Sequence, residues 1–332
     1  MLYVNFIDGN NNNEAFSQKV RDNCQLPLIL LRNKLKENKI ILNNPALNKN
    51  RFVSLNVHID LRNKINLANK NILILWETIY INEYNNNIYK KKIQNKFDKI
   101  FTWENNLVKK YKFYKYHIPH AWQSIEKYYK KRKKNIVMIC SNKFLDHRIN
   151  SNGYNKRLEI INFFENKKNF KFFGYDWEFY PATKNKYLFM LQKKIFKILN
   201  KNFFRKKKHY YGQIESKKKI LTKYLFNICV ENIYNEKDYI TEKIFDTFFC
   251  GCIPIYLGAS NILKYIPRNT FININDFKSL DEMLMYINNL SDKDIRNYLI
   301  NIKLFLKNDK SKKFNPNYFA NYFSNQIIKS LL

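Results

Sequence analysis

In the stretch ENIYNEKDYITEKIFDTFFCGCIPIYLG (residues 231–258), five acidic residues gather in a chain whose formal net charge is +33. Thr241, Glu242 and Lys243 open an amphipathic run within it. Thr241 is a good N-cap, and Glu242 stands in the first turn, where the helix dipole favours a carboxylate. Ile244, Phe245, Phe248 and Phe249 make one apolar face, and Gly251 falls where a helix stops. A helix laid on a sheet by that face points its free N–H groups toward the strand ends, and Lys243 adds a full positive charge there. A phosphate suits such a site. Glu242 is suited to accept hydrogen bonds from ribose hydroxyls, and Asn232 and Tyr239 from the preceding loop would line the same mouth. The same residues also read as a capped surface helix with a solvated Glu and Lys, and local physics leaves both readings open.

The elements that must position these residues alternate between strand and helix. LYVNFID, IILNN, RFVSLNVHI and NILILWE read as strands in the first part, with KVRDNCQLPLILLRNKLKEN and YKKKIQNKFDKIF helical or mixed. NIVMICSN, NFKFFGY, LFNICVEN, CIPIYLG and FININ read as strands in the second part. They alternate with helices at 156–167, in SKKKILTKY and TEKIFDTFFCG, and in SLDEMLMYINNL and DKDIRNYLINIKLFL; a basic helical insertion covers 186–208. Such alternation implies βαβ units and parallel sheets that bind ligands at the carboxyl ends of their strands. Pro254 withdraws a ladder donor, so its strand is expected to pair regularly only after it. No GxGxxG or GxxxxGKS fingerprint is present, which argues against dinucleotide oxidoreductases and P-loop enzymes.

At 332 residues the chain is long enough for two domains, and 45% hydrophobic with 17% aromatic residues excludes global disorder. Sixty Lys and Arg face 27 Asp and Glu, which points to phosphate-bearing partners: nucleic acid, an anionic bilayer or a phosphorylated substrate. The charge is spread along the chain, and the abundance of Lys, Asn and Ile is also what an AT-rich genome writes at tolerant surface positions. Two basic aromatic runs stand out, 109–116 with 128–134, and 193–211. Their interleaving suits base stacking, although no nucleic-acid-binding motif accompanies it. Around 193–208, apolar residues alternate with lysines, as in helices that lie on membranes. The five cysteines form no CxxC pair and no metal spacing. His117 and His120 are expected to pack in a loop, and Trp76, Trp103 and Trp177 in cores. No run approaches the ~20 apolar residues of a membrane span and the start lacks a signal-peptide pattern, so a cytoplasmic location is expected.

Phe226, Glu231, Asn232, Tyr239, Ile240, Thr241, Glu242, Lys243, Gly251, Pro254 and Gly258 follow the order F-x-x-x-x-E-N, loop, Y-[IV]-T-E-K, helix, G-x-[IV]-P-[IV]-x-x-G. This resembles the signature of the α1,3-fucosyltransferase family. YYGQIESKKKILTKYLFN, ICSN with Arg157, ILILWE ending at Glu77, and FDKIFTW resemble further elements of that family, so the likeness spans roughly residues 70–260. The resemblance implies an α/β fold of GT-B architecture, two Rossmann-like domains with parallel sheets facing a central cleft. An acceptor-side domain is expected over 1–130, a donor domain over 131–305, and a helical segment over 306–332 packing back on the first. It implies an inverting transfer of L-fucose from GDP-fucose to a hydroxyl of a GlcNAc-type glycan, with α1,3 linkage. Arg157 and Lys243 would hold the diphosphate, with Arg148 the competitor for Arg157. Glu242 would hold the ribose, Asn232 and Tyr239 line the donor pocket, and Glu77 act as general base. Glu236 and Asp238 would belong to a loop closing over the sugar, and Glu231 would be structural.

No metal or other cofactor is expected: Asp292 and Asp294 read as a helix start, not a metal pair. Nucleic acid is not expected as a partner, and an anionic membrane surface is a further expectation. Transfer from another nucleotide sugar remains an alternative, as does a basic nucleic-acid-binding or membrane-surface module.

Overall fold

Short apolar runs become parallel strands in both halves of the chain. The computed structural model describes residues 1–9, 12–65, 67–121, 132–143, 145, 149–177, 186–198 and 207–332. Two units divide the chain: Met1–Trp122, Lys237–Thr241 and Asp309–Leu332 make unit 1, and Gln123–Glu236 with Glu242–Asn308 make unit 2.

Unit 1 contains strands β1 (Leu2–Ile7), β2 (Ile40–Asn43), β3 (Val53–Ile59), β4 (Lys70–Leu75), β5 (Lys99–Thr102) and β6 (Tyr114–Lys115). They form one parallel sheet in the order β2-β1-β3-β4-β5-β6. Helix α1 (Leu26–Glu37) carries Pro27 in its first turn, where its missing N–H costs nothing. Helices α2 (Lys91–Gln94) and α3 (Asn105–Tyr111) flank β5.

Unit 2 contains β7 (Lys133–Ile139), β8 (Phe170–Phe173), β9 (Tyr224–Val230), β10 (Ile253–Leu257) and β11 (Ile272–Asn273), parallel in the order β11-β10-β9-β7-β8. Its helices are α4 (Gly153–Phe163), α5 (Lys186–Ile198), α6 (Lys217–Leu221), α7 (Glu242–Phe249), α8 (Leu280–Asn289) and α9 (Asp292–Lys307). All seven residues of β9 are buried, as befits a central parallel strand covered on both faces. In α7, Ile244, Phe245, Phe248 and Phe249 are all buried, each burial contributing about 1.5–3 kcal/mol. The helix ends at Gly251, whose φ of 65° lies in the left-handed region that glycine enters without strain.

The chain then returns to unit 1 as α10 (Asp309–Lys312) and α11 (Pro316–Leu331). Phe319, Phe323 and Ile327 of α11, spaced by four, join Leu31 and Leu35 of α1 and Val4 and Leu55 of the sheet in one core.

Several elements differ from expectation. The 91–101 stretch splits into α2 and a strand, and the first sheet holds six strands where four were read. Pro254 sits inside β10, which pairs with β9 along its whole length; the ladder to β11 begins only at Ile255, past the proline. FININ yields a two-residue strand and a 3-10 turn, Ile274–Asp276. Residues 237–241, inside the signature, belong to unit 1 and not to the unit that surrounds them in sequence. The anticipated join at residue 130, Arg148, and the part of the basic insertion at 199–206 lie outside the described residues.

Candidate active site

Strand order locates the ligand crevices. Each sheet reverses direction once, between β1 and β3 in unit 1 and between β7 and β9 in unit 2, and ligands bind at the carboxyl ends beside such a reversal.

In unit 2 the residues after β9 are Glu231 and Asn232. Arg157 of α4 reaches them: its Nε and Nη2 donate to the Val230 carbonyl at 3.2 and 2.6 Å, and Nη2 also donates to Asn232 Oδ1 at 2.9 Å. The guanidinium lies 4.7 Å from the centre of the Tyr154 ring. Arg157 is only 4% exposed, and among the described residues it has no carboxylate partner and no hydrogen bond from Nη1. A buried cation bonded only to neutral groups is costly unless an anion arrives. The approach of α4 that permits this depends on two neighbours. Asn152 caps the helix by accepting from the N–H groups of Tyr154 (3.0 Å) and Asn155 (3.2 Å). Gly153 follows, where an added Cβ would stand 1.8 Å from the Glu231 carbonyl.

Lys243 lies in the first turn of α7. Its Nζ is 3.1 Å from Oε2 of Glu231, whose side chain is wholly buried, and 3.5 Å from Glu242 Oε1. Burial alone lowers the Lys243 pKa, but the Glu231 and Glu242 carboxylates outweigh it and hold the amine above its ordinary value, against repulsion from Arg157 and Lys217. Lys217 of α6 extends the network, 2.6 Å from Asp246 and 3.8 Å from Glu242. The three lysine-linked carboxylates exceed Lys217 and Lys243 by one negative charge, and Arg157, which pairs with none of them, brings the cluster to neutrality. The helix start therefore offers one buried cation and a second half-neutralised one at a helix N-terminus, a set suited to a diphosphate.

In unit 1, Glu77 follows β4. Asp60, after β3 at the sheet reversal, holds the backbone there by accepting from the N–H groups of Trp76 (2.7 Å) and Glu77 (3.1 Å). Asn85 donates to Asp60 Oδ1 at 2.8 Å and to the Glu77 carbonyl at 2.9 Å. Burial raises the Asp60 pKa, while these hydrogen bonds and Arg62 oppose it. The Tyr239 hydroxyl donates to Glu77 Oε2 at 3.0 Å, and its ring packs 5.1 Å from that of Trp103. Trp103 Nε1 in turn donates to the Trp76 carbonyl at 3.0 Å.

Thus Arg157 meets Asn232, Lys243 meets Glu242 and Glu231, and Glu77 meets Tyr239. Tyr239 is 1% exposed within the unit 1 core and bonded to Glu77. Asp238 accepts from Asn105 N (3.0 Å) and Nδ2 (2.8 Å) at the start of α3. Asp60, Asn85 and Lys217 were not singled out from sequence; the one available signal was an Asp closing the apolar run NVHI.

His120 stacks on Phe314 and the His117 ring packs tilted against it, and burial pushes His117 down to about 4. Trp103 and Trp177 are 4% and 2% exposed core residues, and Trp76 packs between Tyr116 and Phe319. Among the described residues, no group of three or more His, Cys, Asp or Glu is arranged to hold a metal.

The family model described as glycosyltransferase family 10 (fucosyltransferase) C-term matches residues 129–301, just over half of the chain. The chain belongs to this family. An α-(1,3)-fucosyltransferase FucT of Helicobacter pylori is 40% identical to this family 10 chain over 74 residues, 22% of the chain and 15% of that protein. The matched part thus spans well under two thirds of that relative. A crystal structure of an α1,3-fucosyltransferase superposes with a TM-score of 0.56 at 17% identity, covering 99% of this chain and 90% of the other. One titled as the α1,3-fucosyltransferase with GDP gives 0.50 at 17% identity, covering 95% and 92%. At that identity the superpositions establish the fold of the family 10 chain, the paired parallel-sheet α/β units of GT-B type.

Proposed function

We propose that this protein is an inverting fucosyltransferase that moves L-fucose from GDP-fucose to a GlcNAc-type glycan hydroxyl, forming an α1,3 linkage. The observation that carries this reading is the buried Arg157, without a carboxylate partner among the described residues, at the β7/β9 reversal beside the α7 start. Arg157 and Lys243 bind the diphosphate, Glu242 and Asn232 face the rest of the nucleotide, and Glu77 takes the proton.

In the reaction the acceptor hydroxyl attacks the anomeric carbon on the face opposite the diphosphate, and its proton passes to a Glu77 Oε atom as the new C–O bond forms. The bond from that carbon to the phosphate oxygen breaks, and GDP leaves with the electron pair. Inversion needs one carboxylate on the attacking side and positive charge on the departing side. Arg157, Lys243 and the α7 N–H groups supply that charge without reorganising. Tyr239 orients the base by its hydrogen bond to Oε2, and Asp60 fixes the backbone that carries it.

Calorimetry with GDP, UDP and ADP tests the donor: GDP is expected to bind at least about tenfold tighter, and equal affinities would overturn the assignment. Turnover measured with and without chelator is expected to be the same. Glu77→Gln is expected to leave GDP affinity intact while transfer falls on the order of 10²- to 10⁴-fold. Loss of both together would remove Glu77 from the role of base.

A further inference from the structure

Helix α5 (Lys186–Ile198) is an insertion in the crossover from β8 to β9, and those of its apolar side chains that the structure describes are exposed. Met190 is 60%, Leu191 54%, Ile195 37% and Ile198 75% exposed, and Tyr187 and Leu188 are 81% and 49% exposed. At about 100° per residue, Tyr187, Leu188, Leu191, Ile195 and Ile198 fall within one arc of about 100°, bordered by Met190 and the exposed Lys194. An arc of that width on a globular protein's helix normally faces a core. Here it faces outward.

Charge identifies what it faces. From residue 179 to 214 the sequence contains nine Lys and one Arg, and no Asp or Glu. At 36 residues this is the longest stretch of the chain without an acidic residue and the one with the most basic residues, ahead of 127–145, where seven Lys and Arg stand without an Asp or Glu. A nucleic acid would engage the lysines but leave the apolar arc in water. A second copy of the chain would bring two such cationic segments together, which repulsion opposes. An anionic bilayer satisfies both features at once. The acyl boundary takes up the apolar arc, and lipid phosphates and carboxylates meet the lysines. At 13 residues, about 20 Å long, the helix is too short to cross a bilayer and suited to lie in its surface.

We infer that α5 is an in-plane anchor by which unit 2 binds the surface of an anionic lipid bilayer. This does not depend on the fucosyl-transfer reading. A protein with any activity would bind membranes through this helix, and GDP binding can fail while the anchor stands.

Vesicle flotation of the full chain tests it, with phosphatidylcholine vesicles and with vesicles containing phosphatidylglycerol. Each engaged basic residue is expected to contribute about fivefold, so three give affinity for the anionic vesicles about 100-fold higher than for the neutral ones. High salt is expected to abolish most of that difference. The double substitution Leu191→Glu with Ile198→Glu is expected to weaken anionic-vesicle binding more than tenfold, with the circular dichroism spectrum unchanged. Leu191→Trp offers a second measurement that needs no loss of binding: its fluorescence is expected to be quenched by brominated acyl chains. Three results would overturn the inference: absence of vesicle binding, equal binding of wild type and the double variant, or a concentration-dependent dimer that the double variant abolishes.

Discussion

Replacing Lys243 by methionine separates the two tasks assigned to it. Lys243 is 3.1 Å from a Glu231 carboxylate whose side chain is wholly buried, while its own side chain is 21% exposed. Removing the ammonium leaves that carboxylate charged and unpaired by its cation, a loss of about 3–5 kcal/mol for a buried pair. Because Lys243 is partly exposed, the lower end, about 3 kcal/mol, is the reasonable figure. For a unit of this size that corresponds to a fall in melting temperature of about 6–12 °C. GDP affinity should also fall, because a charge-assisted hydrogen bond of about 1.5–3 kcal/mol goes with the amine, which is about 10- to 150-fold in Kd. Adding Glu231→Gln to Lys243→Met removes the stranded charge. The double variant should recover most of the melting temperature, because a neutral amide replaces the buried anion, but its GDP affinity should stay low. Differential scanning calorimetry and isothermal titration with GDP read the two quantities on the same samples. If GDP affinity returned together with stability, Lys243 would serve only to neutralise Glu231, and the donor-site reasoning would be refuted.

Three further outcomes follow from other parts of the structure. Tyr239→Phe removes the donor to Glu77 Oε2; kcat should fall about tenfold with GDP affinity unchanged, and the acid limb of the pH–rate profile should move to higher pH. His58 is held near 4 by burial, against its ordinary 6.5. Between those values the unfolded chain binds the extra proton, so stability is full above about pH 7 and declines as pH falls toward 4. At pH 5 that amounts to about 2 kcal/mol, and His58→Leu should flatten the slope of melting temperature against pH, whatever it does to the melting temperature at pH 7.5. Gly153→Ala places a Cβ 1.8 Å from the Glu231 carbonyl, so α4 must shift; GDP affinity should fall along with stability, as Arg157 moves with the helix.

The sequence made the α7 region readable because each local signal there agrees: a cap, an acidic first turn, an apolar face and a stop at Gly251. The alternation of strands likewise announced two parallel sheets. What escaped was set by partners distant in sequence. Tyr239 and Asp238 occupy a five-residue return to unit 1, too short to show any periodicity, and their partners Glu77, Trp103 and Asn105 lie more than a hundred residues away. Asp60 and Asn85 join only through the fold, since neither has a spacing to Glu77 that a helix or strand would explain. Strand β6 is two residues long and hidden in a basic run, so its pattern carried charge and not burial. Pro254 misled for a different reason: its cost depends on which neighbour is present beside it, and β11 starts one residue later.

The placement of α11 bears on how the protein is made. Its Phe319, Phe323 and Ile327 complete the core around β1, β3 and α1, elements that a ribosome releases before unit 2. Until about residue 327 has emerged, the first sheet lacks one of its covering layers, while unit 2, enclosed between these segments in sequence, can already close its own core. The sheet synthesised before unit 2 is therefore completed after it, and during that interval it presents apolar surface that a chaperone would recognise.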